Sequence, residues 1–283
     1  MTAKTLMIQG TSSGAGKTTL VTALCRILSD AGYKVAPFKS QNMSSYSYVG
    51  KEFEISRAQA IQAIAARTEI MPIMNPILLK PLGNYKSEVF VNGILHGKMH
   101  ARDYYKKFAL SKGLEESKNA LDKLLKTNDI VILEGAGSPS EINLQRYDIA
   151  NMRMAEYCKS PVILITDIDK GGSFASIVGT LSLLDKKHQK FVKGFVINKF
   201  RGDVAILYPS YSILRKKTLK PVIGTIPLIE FDIPDEDSLH ANPKQVSWTK
   251  KYLVTLDKEI DHLALIVKKN LDMKKIRGML NLF

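Results

Sequence analysis

Short apolar runs recur along the chain at Thr5–Ile8, Lys34–Phe38, Ile130–Leu133, Val162–Thr166, Lys193–Ile197 and Val222–Ile226. Runs of this length without polar alternation predict strands buried on both faces. Between them lie longer segments with helical spacing, at Thr19–Ala31, Ile55–Ala66, Ala101–Leu125 and Phe174–Leu184. Strands that alternate with helices predict an α/β fold with a doubly wound, mostly parallel sheet, whose ligands sit at the carboxyl ends of the strands. From Ile233 the stretch IPDEDSLHANPKQ is polar and turn-rich and reads as a linker. Beyond it, Leu256, Ile260, Leu263, Val267 and Leu271 resume helical spacing. The expected organisation is a domain over 1–235, then a linker and C-terminal helical tail over 236–283, with the tail docked on the body.

Composition narrows the class. Of 283 residues, 45% are hydrophobic and 24% charged, which fits a globular chain long enough to bury a core without disulfide or metal staples. Cys25 and Cys158 stand far apart and form no CxxC pair, so neither a disulfide framework nor a thiolate metal cluster is expected. No secretory leader and no bilayer-length apolar run is evident, so the expected location is cytoplasmic and away from membranes. Lys and Arg number 41 against 27 Asp and Glu, a formal charge of +14 that favours anionic ligands such as nucleotides and polycarboxylates. The basic residues are scattered and the single tryptophan, Trp248, lies near the C-terminus, so a nucleic-acid partner is not expected.

The strongest chemical signal is Gly10-Thr-Ser-Ser-Gly-Ala-Gly16-Lys17-Thr18, placed after a predicted strand and opening a predicted helix. Glycines there let backbone N–H groups converge on phosphate, the lysine reaches the β/γ-phosphates, and the threonine hydroxyl can ligate Mg²⁺. Gly10, Thr11, Ser13, Gly14, Ala15, Gly16, Lys17, Thr18 and Thr19 are therefore the expected ATP-binding residues. The loop runs GxxxxxGKT, one residue longer than the commonest phosphate loop, with Thr11 where the first glycine usually stands. Glu134 ends an apolar run beside this loop and is expected to join Thr18 at the metal; the plainer alternative is a solvated strand-end acid. Lys39, after the second strand, can stabilise charge on the γ-phosphate or on a substrate carboxylate, unless it is a surface lysine. Asp167 and Asp169 follow the fourth strand and point the same way if the extended conformation persists, suiting Mg²⁺ or ammonia; one of them can instead cap the next helix. Gly171, Gly172 and Ser173 then form a loop able to contact substrate. Arg57 is a candidate carboxylate clamp, or a surface salt bridge. His96 and His100 have metal-ligand spacing, but Gly93 and Gly97 argue against a helix there, and surface histidines are expected.

The longer loop resembles that of the dethiobiotin synthetase-like branch of P-loop proteins. APFKSQNM (36–43), RAQAIQAIAA (57–66), MNPILLKP (74–81), EGAGSPSEINL (134–144), DIANM (148–152), ITDIDKGGSFASIVGTL (165–181) and GFVINKFRGD (194–203) together resemble the cobyric acid synthase family, over about residues 4–240. The resemblance implies ATP- and Mg²⁺-dependent amidation of peripheral corrin carboxylates through an acyl phosphate. It also implies a Mg²⁺ role for Glu134, contact between Asn198 and adenine, and a substrate-side role for Gln41 and Asn42; the residues alone leave Asn198 readable as a strand-ending turn residue. The family's glutamine amidotransferase features, a cysteine on a glycine-flanked elbow followed by His-x-Glu, are not found around Cys25 or Cys158. Ammonia is therefore expected from solution or from a separate glutaminase subunit, and a homodimer is a further expectation. An a,c-diamide synthase, or a dethiobiotin synthetase-like ligase for another carboxylate, remains open, as does a partition-ATPase-like switch, although Ser12 and Ser13 stand where such switches carry a second lysine.

Overall fold

The computed structural model describes residues 2–229 and 246–282; the linker read at 233–245 and the boundary at 235 lie outside them. In chain order the elements are β1 (Lys4–Gly10), α1 (Lys17–Asp30), β2 (Val35–Phe38), β3 (Gln41–Met43), β4 (Ser47–Val49), β5 (Glu54–Ser56) and α2 (Arg57–Ala65). They continue with β6 (Ile77–Gly83), β7 (Lys86–Val91), β8 (Ile94–His100), α3 (Ala101–Asp103), α4 (Leu114–Thr127), β9 (Ile130–Glu134), α5 (Met152–Tyr157) and β10 (Val162–Asp167). The rest are α6 (Ser173–Leu183), α7 (Lys186–Gln189), β11 (Val192–Phe200), α8 (Tyr208–Thr218), β12 (Val222–Pro227), α9 (Lys250–Asn270) and α10 (Met273–Met279).

Six strands form a parallel sheet in the order β12-β11-β10-β1-β9-β2. They are the six apolar runs read from the sequence. Their cores are buried on both faces because helices cover both: α1 and α9 pack on one side, and α4, α6 and α8 on the other. β2 lies at the edge, which is where its Pro37 is tolerated, since an edge strand has a side with no ladder to supply.

A second sheet, in the order β3-β6-β7-β8, was not expected. Two tight hairpins build it, turning at Asn84-Tyr85 and Asn92-Gly93 with positive φ at all four residues, the backbone that two-residue hairpins require. His96 and His100 thus lie on a strand, where His96 meets the Phe108 ring and His100 accepts the Arg102 N–H. The expected helix at Ala101–Leu125 is present but widens to π geometry over Tyr104–Gly113 before α4. Wide turns of this kind are rare in helices and often mark functional sites.

The C-terminal tail joins the main core. Leu256, Ile260, Leu263 and Val267 of α9 are at most 1% exposed and share a hydrophobic cluster with Leu20, Leu24 and Ile27. Arg26 on α1 is fully buried against them; its guanidinium donates to Ala65 O at 3.0 Å, to Asp261 at 2.7 Å and to Asp257. Among the described residues no helix is long and apolar enough to cross a membrane.

Candidate active site

The carboxyl end of β1 turns directly into the phosphate loop. Gly16 precedes α1 with φ 100°, and a Cβ there would lie 2.0 Å from Asn198 Nδ2, so both backbone and neighbour demand glycine. A Cβ on Gly10 would meet Ser12 O at 2.8 Å and the Lys17 side chain at 3.1 Å, which accounts for a glycine one residue early: the lysine stem passes over it. Lys17 is buried, and its Nζ donates to Ser12 O at 3.1 Å and Gly137 O at 3.0 Å, joining the phosphate loop to the loop after β9. Thr11 is anchored to Thr166 and Ile165 O, while Ser13 and Gly14 stand exposed at the rim, Ala15 is buried beneath it and Thr19 is half-buried on the first turn of α1.

Glu134 is a buried hub rather than a solvated strand end. Its Oε1 accepts from Thr18 Oγ1 and Lys39 Nζ, both at 2.8 Å, and its Oε2 accepts from Gln62 Nε2 at 2.5 Å. Lys39 is only 3% exposed, because the chain leaves the main sheet at Phe38 and enters the second at Gln41, placing Lys39 and Ser40 at the crossing. A buried ion pair in such a place needs every partner it has, since an uncompensated charge there costs several kcal/mol. The adjacent Thr18 hydroxyl and Glu134 carboxylate fit Mg²⁺, which takes one or two carboxylates and completes its shell with phosphate and water. No three His, Cys, Asp or Glu side chains converge as a metal site among the described residues.

Asp167 and Asp169 part company where β10 stops. Asp167 is buried and pairs with Lys199 at 2.8 Å, while its Oδ1 accepts the Asp169 N–H; Asp169 is exposed and pairs with Arg201 at 2.9 Å. Neither caps α6, whose N-cap is Gly172. Gly171 and Gly172 form an exposed left-handed turn, and Ser173 is buried as the first residue of the helix. Asn198 donates to Ala15 O at 2.9 Å and Lys199 to Gly14 O at 2.9 Å. Successive strand residues ordinarily face opposite ways; φ of 60° at Lys199 brings both side chains onto one loop.

The second-sheet residues divide. Gln41 accepts the Tyr104 hydroxyl at 2.6 Å and lines a cleft beside the loop after β9. Asn42 is buried, donating to Ser56 and Gln59, and Arg57 is buried with its guanidinium 4.0 Å from the centre of the Tyr46 ring; neither is a surface group. The sequence reading passed over Gln62, Lys199 and the pair Asp148 and Asn151. Asp148 Oδ1 accepts the N–H groups of Ala150 and Asn151 at 2.9 Å each, and Asn151 Nδ2 holds Ala136 O at 2.7 Å. Asp148 and Asn151 stand in the DIANM string, Gln62 in RAQAIQAIAA and Lys199 in GFVINKFRGD, but nothing in the spacing of those strings tied any one of these residues to the phosphate loop. Neither thiol is poised as a nucleophile: burial, with the Glu134 charge, pushes Cys25 up, and burial pushes Cys158 up to about 11.

Comparison with known proteins adds three findings. The family model described as CobQ/CobB/MinD/ParA nucleotide binding domain matches residues 6–238. A probable cobyric acid synthase of Thermococcus onnurineus is 54% identical over 85% of this chain, and a cobyric acid synthase of Dehalococcoides mccartyi is 50% identical over 84%. These alignments cover 50% and 47% of those proteins, so the chain spans about half the length of the curated relatives it matches. A Cyanothece McdA–ATP complex shares the fold, at TM-score 0.51 and 15% identity over 99% of this chain and 97% of that one.

Proposed function

Because this chain belongs to the CobQ/CobB/MinD/ParA nucleotide-binding family, we propose that it is an ATP-dependent amide synthase that converts peripheral carboxylates of cobyrinic acid a,c-diamide to amides, giving cobyric acid. The similarity to relatives named cobyric acid synthase supports the substrate class. The single geometric observation that carries the chemistry is the Glu134 hub: one buried carboxylate touches both Thr18, beside the phosphate-loop lysine, and Lys39.

A carboxylate is a poor acyl donor, so it must first be activated. A substrate carboxylate oxygen attacks the γ-phosphorus of ATP, ADP leaves, and the resulting acyl phosphate is displaced by ammonia. Thr18 and Glu134 would hold Mg²⁺, which would supply neutralisation of phosphate charge. Lys17 follows the charge as it moves to the β-oxygens, and Asn198 with Lys199 holds the loop in shape, with the nucleoside expected on their side. Lys39, paired with the Glu134 carboxylate, would stabilise charge on the γ-phosphate or on the incoming carboxylate. Gln41 is set at the cleft on the substrate side, whereas Asn42 and Arg57 support it from the interior. Asp167 and Asp169 order the Gly171–Gly172 turn through Lys199 and Arg201.

The test is ADP release by purified protein with ATP-Mg²⁺ and cobyrinic acid a,c-diamide, with ammonium chloride or glutamine, following product mass. Corrin-dependent turnover with ammonium alone supports the reading and calls for a partner glutaminase. Turnover on the unamidated corrin or another carboxylic acid, but not on the a,c-diamide, moves the substrate. No carboxylate-dependent ADP release overturns the reading.

A further inference from the structure

Asn42, Gln59 and Gln62 form a row of side-chain amides in the interior, between the second sheet and the Glu134 carboxylate. Asn42 is 2% exposed, and Ser56, Gln59 and Gln62 are fully buried. Gln59 and Gln62 lie one turn apart on α2 and so share a face of the helix. Gln62 Nε2 donates to Glu134 Oε2 at 2.5 Å, Gln59 Nε2 donates to Gln62 Oε1 at 3.3 Å, and Asn42 Nδ2 donates to Gln59 Oε1 at 3.1 Å and to Ser56 Oγ at 2.7 Å. The charge at the end of the row fixes its direction. A carboxylate only accepts, so Gln62 must offer it an N–H and turn its carbonyl back, and each amide behind it must do the same. Bonds aligned in this way strengthen one another. Three buried amides cost more than apolar side chains in the same space, and both ends of this row touch groups of the candidate site. At the far end, successive residues of β3 face opposite ways: Gln41 lines the cleft and Asn42 enters the interior.

We propose that Gln59 and Gln62 are positioning residues, which turn the Glu134 carboxylate for Mg²⁺ and tie that orientation to the strand that meets the substrate. The tie to substrate rests on the amide-synthase reading; the orientation of Glu134 rests on nucleotide binding alone. The last torsion of a glutamate side chain is broad, so a donor on one oxygen decides where the other points. Gln62 holds Oε2, while Oε1 faces Thr18 Oγ1 and Lys39 Nζ, both at 2.8 Å. A displacement of β3 by a group drawn to Gln41 is carried by Asn42 to Gln59, and from there through Gln62 to Glu134. Substrate at Gln41 and Mg²⁺-ATP at Thr18 are thereby coupled, each tightening the other by the same factor.

Isothermal calorimetry with the β,γ-imido analogue of ATP tests this by reading binding without turnover. Gln62→Met keeps the length of the side chain and removes its N–H; it should weaken the analogue about tenfold with Mg²⁺ present and less than about twofold with Mg²⁺ chelated. Gln62→Asn, which draws the amide back by one methylene, makes the same comparison if the Met variant does not fold by circular dichroism. No loss, or an equal loss with and without Mg²⁺, reads as packing and overturns the positioning of Glu134. Gln59→Met leaves Gln62 in place but cuts it off from Asn42. In wild type, saturating cobyrinic acid a,c-diamide should tighten the Mg²⁺-bound analogue by about fivefold or more, and in Gln59→Met by less than about twofold. A corrin that binds wild type without tightening the analogue, or tightening that Gln59→Met retains, overturns the tie to β3. A corrin that does not bind at all removes the substrate reading instead, while the Mg²⁺ comparison on Gln62 still decides the positioning.

Discussion

At the scale of single residues, Lys17 has the clearest consequence. On the proposed reading, Lys17→Ala removes the ammonium that meets the charge reaching the β-oxygens, and kcat should fall by about 10²–10³-fold in a protein that still folds by circular dichroism. Gly16→Ala should abolish nucleotide binding by isothermal calorimetry, because its Cβ would overlap Asn198 Nδ2 and φ of 100° costs a further ~1–2 kcal/mol; removing the clash with Asn198→Ala should not restore affinity. The phosphate loop was legible because its chemistry is local: the glycines, lysine and threonine lie within nine consecutive positions. Lys39 and Arg57 were harder, since a sequence shows a charge but not the Glu134 or Tyr46 that accepts it in the interior.

At the scale of elements, the six core strands were readable because burial on both faces leaves an uninterrupted apolar run. The second sheet was not, because β8 is an exposed edge in which Ile94, Leu95 and Met99 do not alternate with the polar residues, and its loss of pattern hid the Asn92-Gly93 turn signal. The end of β11 makes a prediction of its own. Lys199 adopts left-handed backbone so that its ammonium joins Gly14 O to Asp167. Lys199→Ala keeps that unfavourable backbone while losing both bonds, and should raise the ATP Kd about tenfold. Lys199→Gly relieves the backbone and should recover ~1 kcal/mol of stability in urea titration without recovering affinity.

At the scale of the whole molecule, α9 is part of the body it follows. Four fully buried aliphatic side chains at ~1.5–3 kcal/mol each come to about 6–12 kcal/mol, comparable with the entire stability of an ordinary domain. Arg26→Met keeps the packing but leaves Ala65 O without its donor and separates α1 from Asp257 and Asp261. Since those acids are half-exposed, the loss should be about 2 kcal/mol, seen as a fall of about 5 °C in Tm. The clasp also sets an order of events during synthesis. Arg26 and Asp261 are 235 positions apart, and the face of α1 that continues from Lys17 stays uncovered until the residues of α9 exist. While the chain is still emerging from the ribosome, the half that carries the phosphate loop therefore keeps an apolar flank and the Arg26 guanidinium in water until α9 has been made.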